Sequence, residues 1–253
     1  MQARITIPYA IADFARLRER GYYYVDKTQF IPKLEQYSAP VFLRPRRFGK
    51  SLLVSVLNYY YDINAADRFE TLFGGTYIGN NPTSEHNKYM VLRFDFSQLV
   101  MTKSMEGLEK QFNNMLCPVI KSFTFDTYRY PRFFKDFKFT DDSNAANMLS
   151  EILTKVQGEQ LPPLYILIDE YDNFTNQLLT TYQDPLYEQL TAGDSFLRTF
   201  FKVIKGGIGE GAIRTCFCTG VLPVTMDDLT SGYNIAEILT LKPDFVEMLG
   251  FNH

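Results

Sequence analysis

The sequence predicts an α/β fold built on a largely parallel sheet, and three observations predict it. Short apolar, β-branched runs alternate with stretches of helical period along the chain. The most hydrophobic run, Leu164-Tyr165-Ile166-Leu167-Ile168, starts after Pro162-Pro163 and stops at Asp169-Glu170, the pattern of a strand buried on both faces. A second run, Ala39 to Leu43, leads through a basic turn into an amphipathic helix, the strand–turn–helix order of a parallel unit.

Taken in order, residues 9–20 place Ile11, Phe14, Ala15 and Leu17 at helical spacing, with Gly21 as the stop. Tyr22 to Val25 reads as a short extended segment, and Phe30 to Gln36 as a helix. Pro40 can open the strand that follows because a strand start tolerates proline. Leu52, Leu53, Val56, Leu57 and Tyr60 define a helix over 51–61, and Gly74-Gly75 and Asn80-Asn81-Pro82 mark loops. Met90 to Phe96 reads as a strand, 106–122 and 145–156 as helices. Residues 123–145 are aromatic and charged without a period. After the strand at 164–168, residues 195–204 read as a helix. Gly206, Gly207, Gly209 and Gly211 read as a loose loop, and Ile213 to Gly220 as a further strand.

Composition narrows the function classes. The chain has 253 residues, 45% hydrophobic and 22% charged, which is an ordinary globular balance that needs no disulfide or metal staple. A net charge of -3 argues against a globally basic nucleic-acid surface. Three cysteines, Cys117, Cys216 and Cys218, are an odd number in a chain this long, which argues against a secreted disulfide framework. Cys216 and Cys218 lie two apart on a strand, so they share a face, and buried thiols are the simplest reading. Arg4, Asp13, Arg16, Arg18 and Glu19 interrupt any apolar leader, and no stretch approaches a membrane span, so a cytoplasmic protein is expected.

The chemistry concentrates in two motifs. Phe42 to Ser51 ends in Gly49-Lys50-Ser51, the second half of the phosphate-binding signature GxxxxGK[ST]. Glycine lets the backbone approach a phosphate, lysine reaches the β/γ oxygens, and the serine hydroxyl can ligate Mg2+ at the positive end of the following helix. The signature's first glycine is replaced by Arg44, followed by Pro45, so the loop entry must differ from a glycine-led turn. The alternative is a basic turn with Ser51 capping an ordinary helix. The second motif is Asp169-Glu170 at the end of the central strand. Asp169 can hold Mg2+ through water, and Glu170 can polarise an attacking water. Thr219, where the last strand stops, is a candidate sensor of the γ-phosphate or else a strand-end threonine bonded to backbone. The loop near 50, the acidic pair and Thr219 must share one sheet, which favours one large domain over two small ones.

These segments resemble the AAA-ATPase-like family. The resemblance is carried by Ile7 to Phe14, Tyr24-Val25-Asp26-Lys27-Thr28, and Arg44-Pro45-Arg46-Arg47-Phe48-Gly49-Lys50-Ser51. It continues through Phe94 to Ser97, Ile168-Asp169-Glu170-Tyr171-Asp172, Thr219-Gly220-Val221 and Ser231 to Ile235. In that family the loop with arginine at its entry is usual. The resemblance implies a P-loop NTPase three-layer sandwich of the additional-strand, catalytic-glutamate type. It implies ATP and Mg2+ as cofactors, with Arg46, Arg47, Phe48, Gly49, Lys50, Ser51 and Leu52 on the nucleotide and Ser51 and Asp169 on the metal. Glu170, Lys50 and Thr219 are then the catalytic candidates. Tyr24 to Thr28 is similar in position to segments that line an adenine site. The expected organisation is a helix/strand segment over 1–36 packed on a core over 37–253 that ends at the start of a C-terminal helical part. Relatives often carry a restriction-endonuclease-like domain there, so a nucleic-acid or protein partner would act through a domain beyond this chain. Oligomerisation is open.

The functional expectation is Mg2+-dependent ATP hydrolysis that switches or drives a partner. A nucleotide-binding interaction module with little turnover is the alternative, since no arginine finger is identifiable and Arg46 and Arg47 can equally be solvated charges. No spaced carboxylate–lysine set supports a nuclease in this chain.

Overall fold

The computed structural model describes residues 6–99, 102–127, 129–173, 176, 184–191, 195–223 and 233–250. Ser231 and Gly232 of the last resembling segment lie outside these residues, as do the first five residues and Phe251 to His253.

Among the described residues the sheet has five strands: β1 (Pro40–Leu43), β2 (Met90–Asp95), β3 (Leu164–Asp169), β4 (Ile213–Gly220) and β5 (Glu237–Ile238). Their spatial order is β2-β3-β4-β1-β5, and every pairing is parallel. β4 is thus inserted between β1 and β3, as the additional-strand type requires. Parallel strands share a direction, so the C-terminal ends of β1, β4 and β3 open onto one edge. Loops at this edge, beside the point where strand order reverses, are where α/β sheets bind ligands.

Each face of the sheet is covered because parallel strands are apolar on both sides. One face carries Phe42, Val91, Tyr165, Leu167 and Phe217, packed on α3, and the other carries Leu92, Phe94, Ile166, Ile168 and Cys216. The first helices are α1 (Phe14–Glu19), α2 (Ile31–Leu34) and α3 (Lys50–Tyr61). Two short helices follow, α4 (Phe69–Phe73) and α5 (Tyr77–Asn80), then α6 (Met105–Phe125) and α7 (Ala145–Gly158). The last are α8 (Asp184–Thr191) and α9 (Phe196–Gly209). With α3 on one face and α6, α7 and α9 on the other, the molecule is the three-layer sandwich expected of a P-loop NTPase.

Several boundaries differ from expectation for identifiable reasons. α1 starts only at Phe14 because the Asp13 carboxylate accepts the Arg16 amide at 2.6 Å and caps it there. Tyr22 to Val25 stays outside the sheet. The expected glycine loop is not a loop: Gly206, Gly207 and Gly209 belong to α9, and only Gly211, at φ +82°, ends it. A Cβ on Gly207 would lie 2.7 Å from Ile213 Cδ1 and 2.8 Å from Leu153 Cδ1, so glycine is there for close helix–sheet approach.

The aperiodic stretch after α6 covers the sheet's edge. Tyr130 is fully buried, its hydroxyl accepts the Val91 amide of edge strand β2 at 2.7 Å and donates to Asp62 at 2.9 Å. The Phe123 ring at the end of α6 packs on it, and Phe134, Phe137 and Phe139 continue from Phe123 in a chain of ring contacts. Cys216 and Cys218 point to one face with sulfurs 3.8 Å apart, both fully buried.

Gly220, where β4 ends, carries a stability prediction. A Cβ there would come within 2.6 Å of both Asp172 Oδ1 and Tyr171 Cε1. Gly220→Ala therefore costs about 1–3 kcal/mol of unfolding free energy, read from the midpoint of a urea transition.

Candidate functional site

The basic loop leaves β1 as a continuation of the sheet: the Arg44 amide donates to the Gly220 carbonyl of β4 at 3.1 Å. It then turns through two left-handed residues, Arg47 (φ +69°) and Gly49 (φ +89°). Gly49 is the N-cap of α3 and has no side chain to fill the helix's N-terminal amides, which leaves them to an anion. Lys50 is the first helical residue and only 5% exposed. Its Nζ donates back to the carbonyls of Arg44 (2.9 Å) and Pro45 (3.1 Å). Burial lowers the Lys50 pKa, while the carboxylates of Glu170, Asp169 and Asp172 act against that shift. A desolvated ammonium is thus held over the loop and faces the acidic motif.

That motif is built by β3 and β4 together. Asp169 ends β3 and is buried. Its Oδ1 accepts the Thr219 hydroxyl at 2.5 Å, and its Oδ2 lies 3.7 Å from Arg93 Nη2 on β2. Glu170 is half-buried in a left-handed conformation, φ +52°, which is uncommon for a residue with a side chain and marks a locally strained turn. Its pKa is raised by burial and by the neighbouring Asp169 charge, and pulled back by Lys50 and Arg46. The Thr219 hydroxyl also receives the Glu170 amide at 3.4 Å, so one side chain touches both acidic residues. Thr219 is fully buried, between Asp169 and the start of the turn.

The turn is held from below. Asp172 Oδ2 accepts the amides of Val221 (2.9 Å) and Leu222 (2.7 Å), and the Tyr171 hydroxyl donates to the Leu222 carbonyl at 2.8 Å. The Asn173 amide group donates to the carbonyls of Phe96 (3.3 Å) and Ser97 (3.0 Å). These contacts explain why Tyr171-Asp172 and Gly220-Val221 accompany the acidic pair. Arg93 was the residue missed: nothing in its local sequence points to Asp169, and only the β2–β3 register brings it there.

A cavity of about 520 Å³ opens beside the loop. Tyr24, Val25, Phe30, Phe48, Leu52 and Met248 are among its walls, so it is mostly apolar. The loop residues divide between two sides. Arg47, Phe48, Gly49 and Leu52 line the cavity, whereas Arg46 carries its charge toward Lys50 and Glu170. Ser51 follows Lys50 at the second position of α3. Within the segment from Tyr24 to Thr28 the roles also divide. Asp26 accepts the Thr28 amide and hydroxyl and the Tyr77 amide, and Thr28 Oγ1 accepts the Ile78 amide, which latches the segment to α5. Tyr24, Val25 and Lys27 line the cavity, and Thr28 does so as well.

The family model for predicted AAA-ATPases matches residues 8–230, which contain the loop, both acidic residues and Thr219. The chain belongs to the AAA-ATPase-like family. No curated protein and no solved structure gives a significant match. The AAA-ATPase-like assignment covers most of the described sheet, and an ATPase-like module is what it supports. The donor set suits the group this family implies. Ser51 and Asp169 offer hard oxygen ligands of the kind Mg2+ takes, and Lys50 offers a buried cation whose bonds in the loop are to carbonyls. No described helix is long and apolar enough to cross a membrane.

Proposed function

We propose that this chain binds ATP with Mg2+ and hydrolyses it, and that the nucleotide cycle switches a protein or nucleic-acid partner. One observation carries the reading: the β1–α3 loop with Lys50, the Asp169-Glu170 turn of β3 and Thr219 of β4 meet at one edge of three adjacent parallel strands.

In this reading the triphosphate lies along the loop. Its oxygens take the free amides at the start of α3 and the Lys50 ammonium, which leaves the carbonyls of Arg44 and Pro45 for the stronger charged acceptor. Arg46 adds charge on the same side, and the base and ribose enter the 520 Å³ cavity. Ser51 and Asp169 would hold Mg2+, which when bound spreads the negative charge of the phosphates. Glu170 orients a water and takes its proton on a carboxylate oxygen as the water attacks the γ-phosphorus, the P–O bond to the β–γ bridging oxygen breaks, and ADP leaves with that oxygen. Thr219 acts through others: by bonding Asp169 and the Glu170 amide it keeps the two carboxylates in fixed relation. It is a positioning residue here rather than a group that touches phosphate.

Titration calorimetry with ATP and with GTP, each with Mg2+, tests the binding half. ATP binding is expected, and removing the metal with EDTA should abolish phosphate release. Absence of heat with both nucleotides would sink the reading.

A further inference from the structure

The loop opens on an arginine where the general signature has glycine, and that arginine's side chain faces away from the loop. Arg44 Nη1 donates to the carbonyls of Leu43 (3.1 Å) and Thr240 (3.2 Å), and Nη2 donates to the carbonyl of Val246 (3.2 Å). The guanidinium also lies over the Phe42 ring, 4.8 Å from its centroid. All three acceptors are neutral carbonyls, and burial lowers the Arg44 pKa. A charge placed this way serves geometry: a planar fork with five N–H groups can span acceptors on two separate stretches of chain, which a single ammonium cannot.

The second of those stretches leads into the wall of the cavity. After β5 the chain runs along β1, with the Leu239 amide on the Val41 carbonyl (2.9 Å) and the Thr240 hydroxyl accepting the Leu43 amide (2.7 Å). It then crosses to the cavity, where Met248, Leu249 and Gly250 form its lining opposite Phe48 and Gly49. The approach is close: a Cβ on Gly250 would sit 3.5 Å from the Phe48 ring, and one on Gly49 would sit 3.9 Å from Leu249 Cδ2. β5 itself is only two residues long, and beyond it the buried Leu239, Phe245 and Met248 anchor the segment to the core, with Arg44 adding polar bonds at Thr240 and Val246 between them. The Lys33–Asp244 ion pair (3.1 Å) is solvent-exposed and adds little. Meanwhile the Arg44 carbonyl accepts Lys50 Nζ at 2.9 Å. One residue therefore touches the phosphate-side lysine with its backbone and, with its side chain, the stretch that leads into the cavity wall.

We propose that Arg44 is a positioning residue that fixes residues 240–250 as the base-side wall of the nucleotide cavity. It then sets affinity for the base and ribose and not for the phosphate chain; this rests on the nucleotide reading above. By reciprocity, a nucleotide packed against the wall stabilises the segment.

The test is a pair of calorimetric titrations, Mg2+ with ATP and Mg2+ with inorganic tripolyphosphate, which has no base. Wild type, Arg44→Met, Arg44→Lys and Leu249→Ala are compared, with amide hydrogen exchange followed over 240–250. Arg44→Met should weaken ATP about tenfold, leave tripolyphosphate within about twofold, and speed exchange in the segment. Arg44→Lys should fall between Arg44→Met and wild type. Leu249→Ala leaves the Arg44 bonds in place and should repeat the base-selective loss, which shows that the wall reads the base; if Arg44→Met does not fold, Arg44→Lys decides the role of Arg44, with wild-type ATP affinity and exchange overturning it. Equal weakening of both ligands, or unchanged ATP affinity with unchanged exchange, overturns the role of Arg44 alone. A wild-type chain that binds neither ligand overturns the nucleotide reading and this role with it.

Discussion

Glu170→Gln should bind ATP with Mg2+ as the wild type does and release phosphate about 10²–10⁴-fold more slowly. The two effects separate because glutamine keeps the size and hydrogen-bonding capacity of the side chain and removes only its ability to take a proton. The fold around it should survive, since the turn is held by groups other than the Glu170 carboxylate. These are the Thr219 contact with the Glu170 amide, the Tyr171 amide on the Thr219 carbonyl, and the Asp172 cap on Val221 and Leu222. The environment also suits a base, because burial and the Asp169 charge hold the carboxyl pKa above its ordinary value. Single-turnover phosphate release beside calorimetry reads both quantities. A glutamine variant as fast as wild type removes Glu170 from the chemistry. A wild type that binds ATP and releases no phosphate favours a nucleotide-binding module without turnover.

Lys50→Met should lower ATP affinity by about 10²-fold or more while leaving the empty protein's stability within about 1 kcal/mol. Lys50 is 5% exposed and, among the described residues, its ammonium is bonded to two loop carbonyls, so the empty protein carries its desolvation cost. A triphosphate would supply the charged acceptor that those carbonyls are not. Methionine fills similar volume, relieves the buried charge, and leaves two carbonyls without that donor, so the changes in the empty protein largely offset. Equilibrium binding with a urea transition on the same samples checks both numbers. An unchanged affinity would mean that Lys50 serves the loop's structure and not a phosphate.

Much of the site was legible because its signals are local. Gly49-Lys50-Ser51 sits between an apolar run and a helical period, and Asp169-Glu170 terminates the most apolar run in the chain. Strand, turn and helix starts are written in neighbouring residues, so β1, α3, β3 and β4 fell close to where the pattern placed them. The pattern misled where a neighbour distant in sequence decides. Gly206, Gly207 and Gly209 look like a loop, but all three are helical, and Gly207 is a glycine because the tips of Ile213 and Leu153 crowd the place of a Cβ. Residues 123–145 have no period because their rings wrap the edge of β2 instead of presenting one face to the core.

By itself the sequence determined the α/β class, the alternation that demands a parallel sheet, and the two motifs with the chemistry their residue types allow. These follow from short-range periodicity and from the intrinsic properties of glycine, lysine and carboxylates. Only the tertiary structure decided what those residues face. Strand register set Arg93 beside Asp169, the insertion of β4 put Thr219 under the acidic pair, and the return of 240–250 over β1 gave Arg44 two of its three carbonyls. Each of these contacts joins residues far apart in the chain. Their geometry comes from how the sheet closes around its core, which no local pattern records.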